Sequence, residues 1–135
     1  MDELQEIELA RGIWVGQIDA GAILSVRIAT IERSAIDCLY RWLVERMMGW
    51  DKRVLWLALY DLTPREAMLT LHMRRRMDEF ARLRPEVPGR VAFVMRRDTA
   101  TALFELFRAR QQPYPRTMRV WHSHQEALAW LRELL

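Results

Sequence analysis

Apolar positions change their spacing several times along the chain, and each change marks an element. Ile13-Trp14-Val15-Gly16-Gln17-Ile18 and Ile23-Leu24-Ser25-Val26-Arg27-Ile28 have strand composition and flank the turn residues Asp19-Ala20-Gly21. That pattern predicts a β-hairpin. Leu4 to Leu9 reads as a further strand before it. From Ile31 to Met48 the spacing becomes helical, with Ile36, Leu39, Tyr40, Leu43 and Met47 on one face. Gly49 follows where a helix C-cap favours a residue with positive φ. Val54 to Tyr60 is nearly continuously apolar, as in a parallel strand covered on both faces.

Thr63-Pro64-Arg65-Glu66 combines a cap, a proline at the first helical position and a capping-box acid. It predicts a helix to about Leu83, with Leu69, Met73, Phe80 and Leu83 inward. Val91 to Met95 is a second buried strand. Asp98 then caps a helix with Leu103, Leu106, Phe107 and Arg110 at helical spacing. Pro113 and Pro115 end that unit. Met118 to Trp121 is a short strand. Ser123-His124-Gln125-Glu126 is a second capping box, opening a helix with Ala127, Leu128, Leu131 and Leu134 inward.

The order predicts an α/β fold: an N-terminal β-hairpin followed by β-α repeats, with a mainly parallel sheet of four to five strands and about four helices. A chain of 135 residues without a long linker fits a single domain over 1–135. One cysteine, Cys38, allows no internal disulfide, which suits a reducing compartment. The start Met1-Asp2-Glu3-Leu4-Gln5-Glu6 lacks a basic-then-apolar leader, and no apolar run reaches the roughly 20 residues of a membrane span. A cytoplasmic protein with no transmembrane segment is expected.

The formal net charge is +3, and Lys52 is the only lysine. Arginine reads phosphate well, so Arg74–Arg76, Arg82 and Arg84 raise the question of nucleic acid. Acids stand four residues from basic groups, as in Arg74–Asp78 and Arg75–Glu79, and that spacing favours a solvated, salt-bridged helix face.

Arg119-Val120-Trp121-His122-Ser123-His124-Gln125-Glu126-Ala127-Leu128-Ala129-Trp130-Leu131, together with the element order, resembles the closing strand and helix of the SpoIIAA-like superfamily. That superfamily includes STAS domains and bacterial STAS/SEC14-like proteins. The resemblance implies a SpoIIAA/STAS-like fold and a non-catalytic regulatory or protein-interaction module. Anti-sigma-factor antagonists of the superfamily carry a phosphorylatable residue in an Asp-Ser-x-Gly-type loop after the central strand. The matching place here reads Tyr60-Asp61-Leu62-Thr63-Pro64, with neither Ser nor Gly. Asp61 and Thr63 form the candidate regulatory loop, and Thr63 is also the predicted helix cap. The SEC14-like branch suggests an alternative, a carrier of a small apolar molecule or lipid, with some of the six tryptophans and eight methionines lining its cavity.

Ligands of open α/β sheets gather at the carboxyl ends of the strands. Those ends carry Asp61 and Thr63, then Arg96 and Arg97, then His122 and His124. Arg96 and Arg97 are candidates for holding an anion near a helix N-terminus. With strands in sequence order, Asp61 and His122 stand two strands apart and can flank a small ligand. No third ligand joins the histidines, so no metal is assigned, and no cofactor is implied. Nothing assembles nucleophile, base and electrophile, so no enzymatic activity is expected. Met68 and Leu71, beside His72, point away from the predicted core stripe. They are candidates for a contact with a protein partner or a second copy.

Overall fold

The computed structural model describes residues 5–64, 67–98 and 114–135. Its centre is a six-stranded sheet in the sequence order β1 to β6: β1 Gln5–Ala10, β2 Ile13–Ile18, β3 Ile23–Ile28, β4 Trp56–Asp61, β5 Gly89–Val94 and β6 Thr117–Trp121. β1, β2 and β3 pair antiparallel, while β3 to β6 run parallel. Three helices are described: α1 Arg33–Met48, α2 Leu71–Ala81 and α3 His124–Arg132. The sheet therefore has six strands rather than four to five. β1 is the addition, an edge strand with half its residues exposed, which gives it a weak apolar signal. The expected helix after Asp98 lies outside the described residues.

The hairpin turn places Asp19, Ala20 and Gly21 all at positive φ, and Ala22 N–H closes it onto the Asp19 carbonyl at 3.1 Å. Arg132 at the end of α3 grips the Asp19 carboxylate at 2.7 and 2.9 Å, holding this turn from across the molecule.

β2 to β5 bury a different set on each side, as alternation requires. On one face Val15, Val26, Ala58, Tyr60, Val91 and Phe93 pack under α1 and α2. On the other, Ile18, Ile23, Leu57, Leu59, Ala92 and Val94 meet Ala127, Trp130 and Leu131 of α3. β4 is buried at all six positions, which is why it reads as an unbroken apolar run. α1 follows its predicted stripe, burying Ile36, Leu39, Leu43 and Met47. Gly49 ends it with φ −91°, so the expected left-handed cap is absent and any residue fits that backbone.

α2 begins seven residues later than the capping box predicts, with Thr70 in place of Thr63 as its cap. Asp61 binds both the backbone N–H of Thr63, at 2.9 Å, and its hydroxyl, at 2.6 Å. This Asx turn commits the Thr63 side chain backwards, toward the strand, so it does not open the helix. Thr70 takes that role and accepts from Met73 N–H at 3.2 Å. Met73 and Phe80 still face the core, because the stripe survives a later start.

Candidate functional site

β4 ends in Asp61, which is 8% exposed although charged. A carboxylate at such a depth must be satisfied by hydrogen bonds or paired charge. Thr63 supplies two donors to Oδ1, and His124 Nε2 lies 3.1 Å from Oδ2. His124 reaches it because Ser123 starts α3 there, its Oγ accepting from Glu126 N–H at 3.4 Å. Sequence reasoning set Asp61 opposite His122. The structure brings His124 to it instead, since His122 turns its Nδ1 to donate to the Met95 carbonyl at 2.8 Å.

Burial pushes the Asp61 carboxyl up, but hydrogen bonds from His124 and Thr63 outweigh it and hold the group below its usual 3.8. The hydrogen bond to Asp61 raises His124 above its usual 6.5, against partial burial. The signs set a window. Stability from the lowered Asp61 is present above 3.8 and lost as pH falls through its folded value, while stability from the raised His124 is present below 6.5 and lost as pH rises through its folded value. The pair thus contributes fully between those two limits. In an NMR titration the His124 ring should titrate above 6.5 and return toward that value in Asp61→Asn. A native midpoint at or below 6.5 would show that the pair does not form in solution.

The α3 face beyond this pair is only half covered. α3 packs over β4, β5 and β6, and the side chains of β1 to β3 on that face are mostly polar. The register puts Glu6, Gly16, Ser25 and Leu59 in one row, and Trp14, Arg27 and Asp61 in the next. Arg27 Nη2 donates to Glu6 at 2.9 Å and its guanidinium stacks over the Trp14 ring at 4.1 Å. The result is a cavity of about 230 Å³ floored by Ser25, Arg27, Leu59 and Asp61, with His124, Leu128 and Arg132 as its helical wall.

No family model, curated protein or solved structure matches this chain. The site therefore rests on its own geometry.

The remaining predicted positions separate. Arg96 engages Asp98 at 3.3 Å, and Arg97 is exposed. Met68 and Leu71 are each 57% exposed, but Met68 lies in the segment before α2 rather than on the helix. His72 does not join them: its Nε2 meets Asp37 of α1 at 2.7 Å. The charge pairs of α2 differ from the expected ones. Arg76 binds Asp37 and Glu79, and Arg82 binds Asp78. Arg84 binds Glu86 and also donates to the Met47 and Trp50 carbonyls.

Among the described residues no three His, Cys, Asp or Glu side chains gather to hold a metal, and no helix is long and apolar enough to cross a membrane. Sequence reasoning missed Glu6, Ser25, Arg27, Leu128 and Arg132. A signal existed for some of them. His124, Leu128 and Arg132 stand at i, i+4 and i+8, so they share one helix face, and Ser25 and Arg27 alternate onto one strand face.

Proposed function

We propose that this domain is a non-catalytic protein-interaction module of SpoIIAA/STAS type, working through the Asp61–Thr63 loop and the segment that leads into α2. The observation that carries the reading is the pair of exposed apolar side chains, Met68 and Leu71, just beyond a loop pinned by three contacts to Asp61. A pinned loop loses little entropy on binding, which favours recognition by a preformed surface. The reading commits to a second copy of this chain as the partner.

Native mass spectrometry and sedimentation of the purified chain test it. A dimer that becomes monomeric in Leu71→Asp is the expected result. A wild-type chain that stays monomeric over the accessible concentration range would remove the self-association reading.

A second reading, the apolar carrier, draws on a cavity between the sheet and α1–α2. Leu39, Tyr60, Met73, Phe93, Tyr114 and Met118 are among the side chains that line it. Its volume of about 70 Å³ is well below the roughly 300 Å³ at which ligand pockets begin. A retained ligand in the mass spectrum would favour this reading. Nucleic acid ranks third, because Arg76, Arg82 and Arg84 already hold carboxylates within the fold.

A further inference from the structure

We infer that the cavity between α3 and β3–β4 is a binding site for a small neutral polyol of about monosaccharide size. The inference goes beyond the interaction reading and does not depend on it: the cavity lies on the α3 face of the sheet, while α2, which begins at Leu71, packs on the other face.

Size is the first argument. About 230 Å³ lies a little under the roughly 300 Å³ at which pockets for drug-sized ligands begin, so it fits a molecule of monosaccharide size rather than a nucleotide.

Charge is the second. The cavity presents five ionisable side chains, and each already has a partner of opposite sign. Arg27 pairs with Glu6 at 2.9 Å, His124 with Asp61 at 3.1 Å, and Arg132 with Asp19 at 2.7 Å. A charged ligand would be repelled by one member of every pair whose other member attracts it, so it gains little net attraction here. A neutral ligand faces no such repulsion.

Hydrogen-bonding capacity is the third. Each ion pair consumes only part of what its members can offer. Arg27 uses one nitrogen on Glu6, and one carboxylate oxygen of Glu6 remains to accept. Among the described residues Asp61 Oδ2 accepts only from His124, so a lone pair remains there as well. The Ser25 hydroxyl, on a residue 5% exposed, can donate and accept on the floor. Both donor and acceptor capacity thus remains in the lining, which suits hydroxyl groups that do both. Ile18, Leu59 and Leu128 supply apolar surface for the C–H face of such a molecule.

The experiment is calorimetry and ¹⁵N-edited NMR on the full chain, with inositol, glucose and ribose as probes and with glycine and inorganic phosphate as charged comparators. At least one neutral probe should saturate, shift the amides of Ser25, Leu59 and Leu128, and bind equally at low and high salt. Ser25→Ala removes the floor hydroxyl without adding bulk, and Leu128→Trp fills the space from the helix side. Each should weaken binding about tenfold or more, near 1.4 kcal/mol. Leu71→Asp should bind as the wild type does, which separates this test from that of self-association. The inference is overturned if no neutral probe saturates, if both cavity variants bind unchanged, or if phosphate or glycine alone occupies the site.

Discussion

Gly89→Ala should lower the stability of this domain by about 3 kcal/mol, an overpacking loss at the upper end of the usual range. A Cβ on Gly89 would stand 1.9 Å from the Trp56 carbonyl oxygen and 2.7 Å from its carbon. Both atoms are backbone, and Trp56 is 1% exposed, so neither can step aside into solvent. This is also where the β4–β5 ladder begins, with Trp56 opposite Gly89 and Trp56 N–H bonded to the Pro88 carbonyl at 2.9 Å. The two central strands would have to part at that end. In a thermal melt the midpoint should fall by about 10 °C. Gly49→Ala is the control. Its Cβ would meet nothing closer than 3.7 Å, and its φ is −91°, so that variant should hold or slightly raise the midpoint. Equal melting of the two variants would show that β4 and β5 separate at little cost.

Replacing Arg116 should cost a similar amount by a different route. Arg116 is 3% exposed, and its guanidinium donates to the carbonyls of Phe80, Ala81, Leu83, Arg84 and Val87 at 2.8 to 3.4 Å. These carbonyls belong to the end of α2 and the turn after it, where orphan acceptors gather and a positive charge is favoured. The turn also holds Arg84 at φ 46°, a left-handed conformation that needs outside support. Phe80 and Arg84 keep backbone donors from Leu83 and Val87. The carbonyls of Ala81, Leu83 and Val87 depend more on the guanidinium. Arg116→Met preserves volume and removes every donor. At about 1–3 kcal/mol for each buried group left unsatisfied, a total loss of about 4 kcal/mol is expected in urea unfolding, with the slope unchanged. Arg116→Lys should recover only part of it, because a point ammonium cannot span five acceptors. A loss under about 1 kcal/mol for Arg116→Met would mean that water satisfies those carbonyls instead.

Gly89 and Arg116 show where sequence reading stops. Pro88-Gly89 reads as a loop and Gly49 as a helix cap, yet the glycine that matters is the one a distant tryptophan backbone approaches. Arg116 stands beside Pro115 with no periodic signal, and the carbonyls it serves lie 29 to 36 residues away. The same limit explains the late start of α2. Thr63-Pro64-Arg65-Glu66 satisfies every local rule for a helix start, but those rules do not include an aspartate that claims the threonine.

Local pattern alone was sufficient for the hairpin, the α1 stripe, the buried β4 and β5 strands and the Ser123 cap, because each depends on spacing within one element and on burial of one face. The alternation of strands and helices likewise carried the α/β class. Tertiary structure alone decided which side of the sheet each helix covers, and therefore that α3 leaves the β1–β3 half of its face open. It brought His124 rather than His122 to Asp61, and it set Glu6, Ser25 and Arg27 beside Arg132. Those meetings join side chains up to 126 positions apart, from Glu6 to Arg132. Strand register and helix placement fix them, and both follow from how the whole chain packs rather than from any local run of residues.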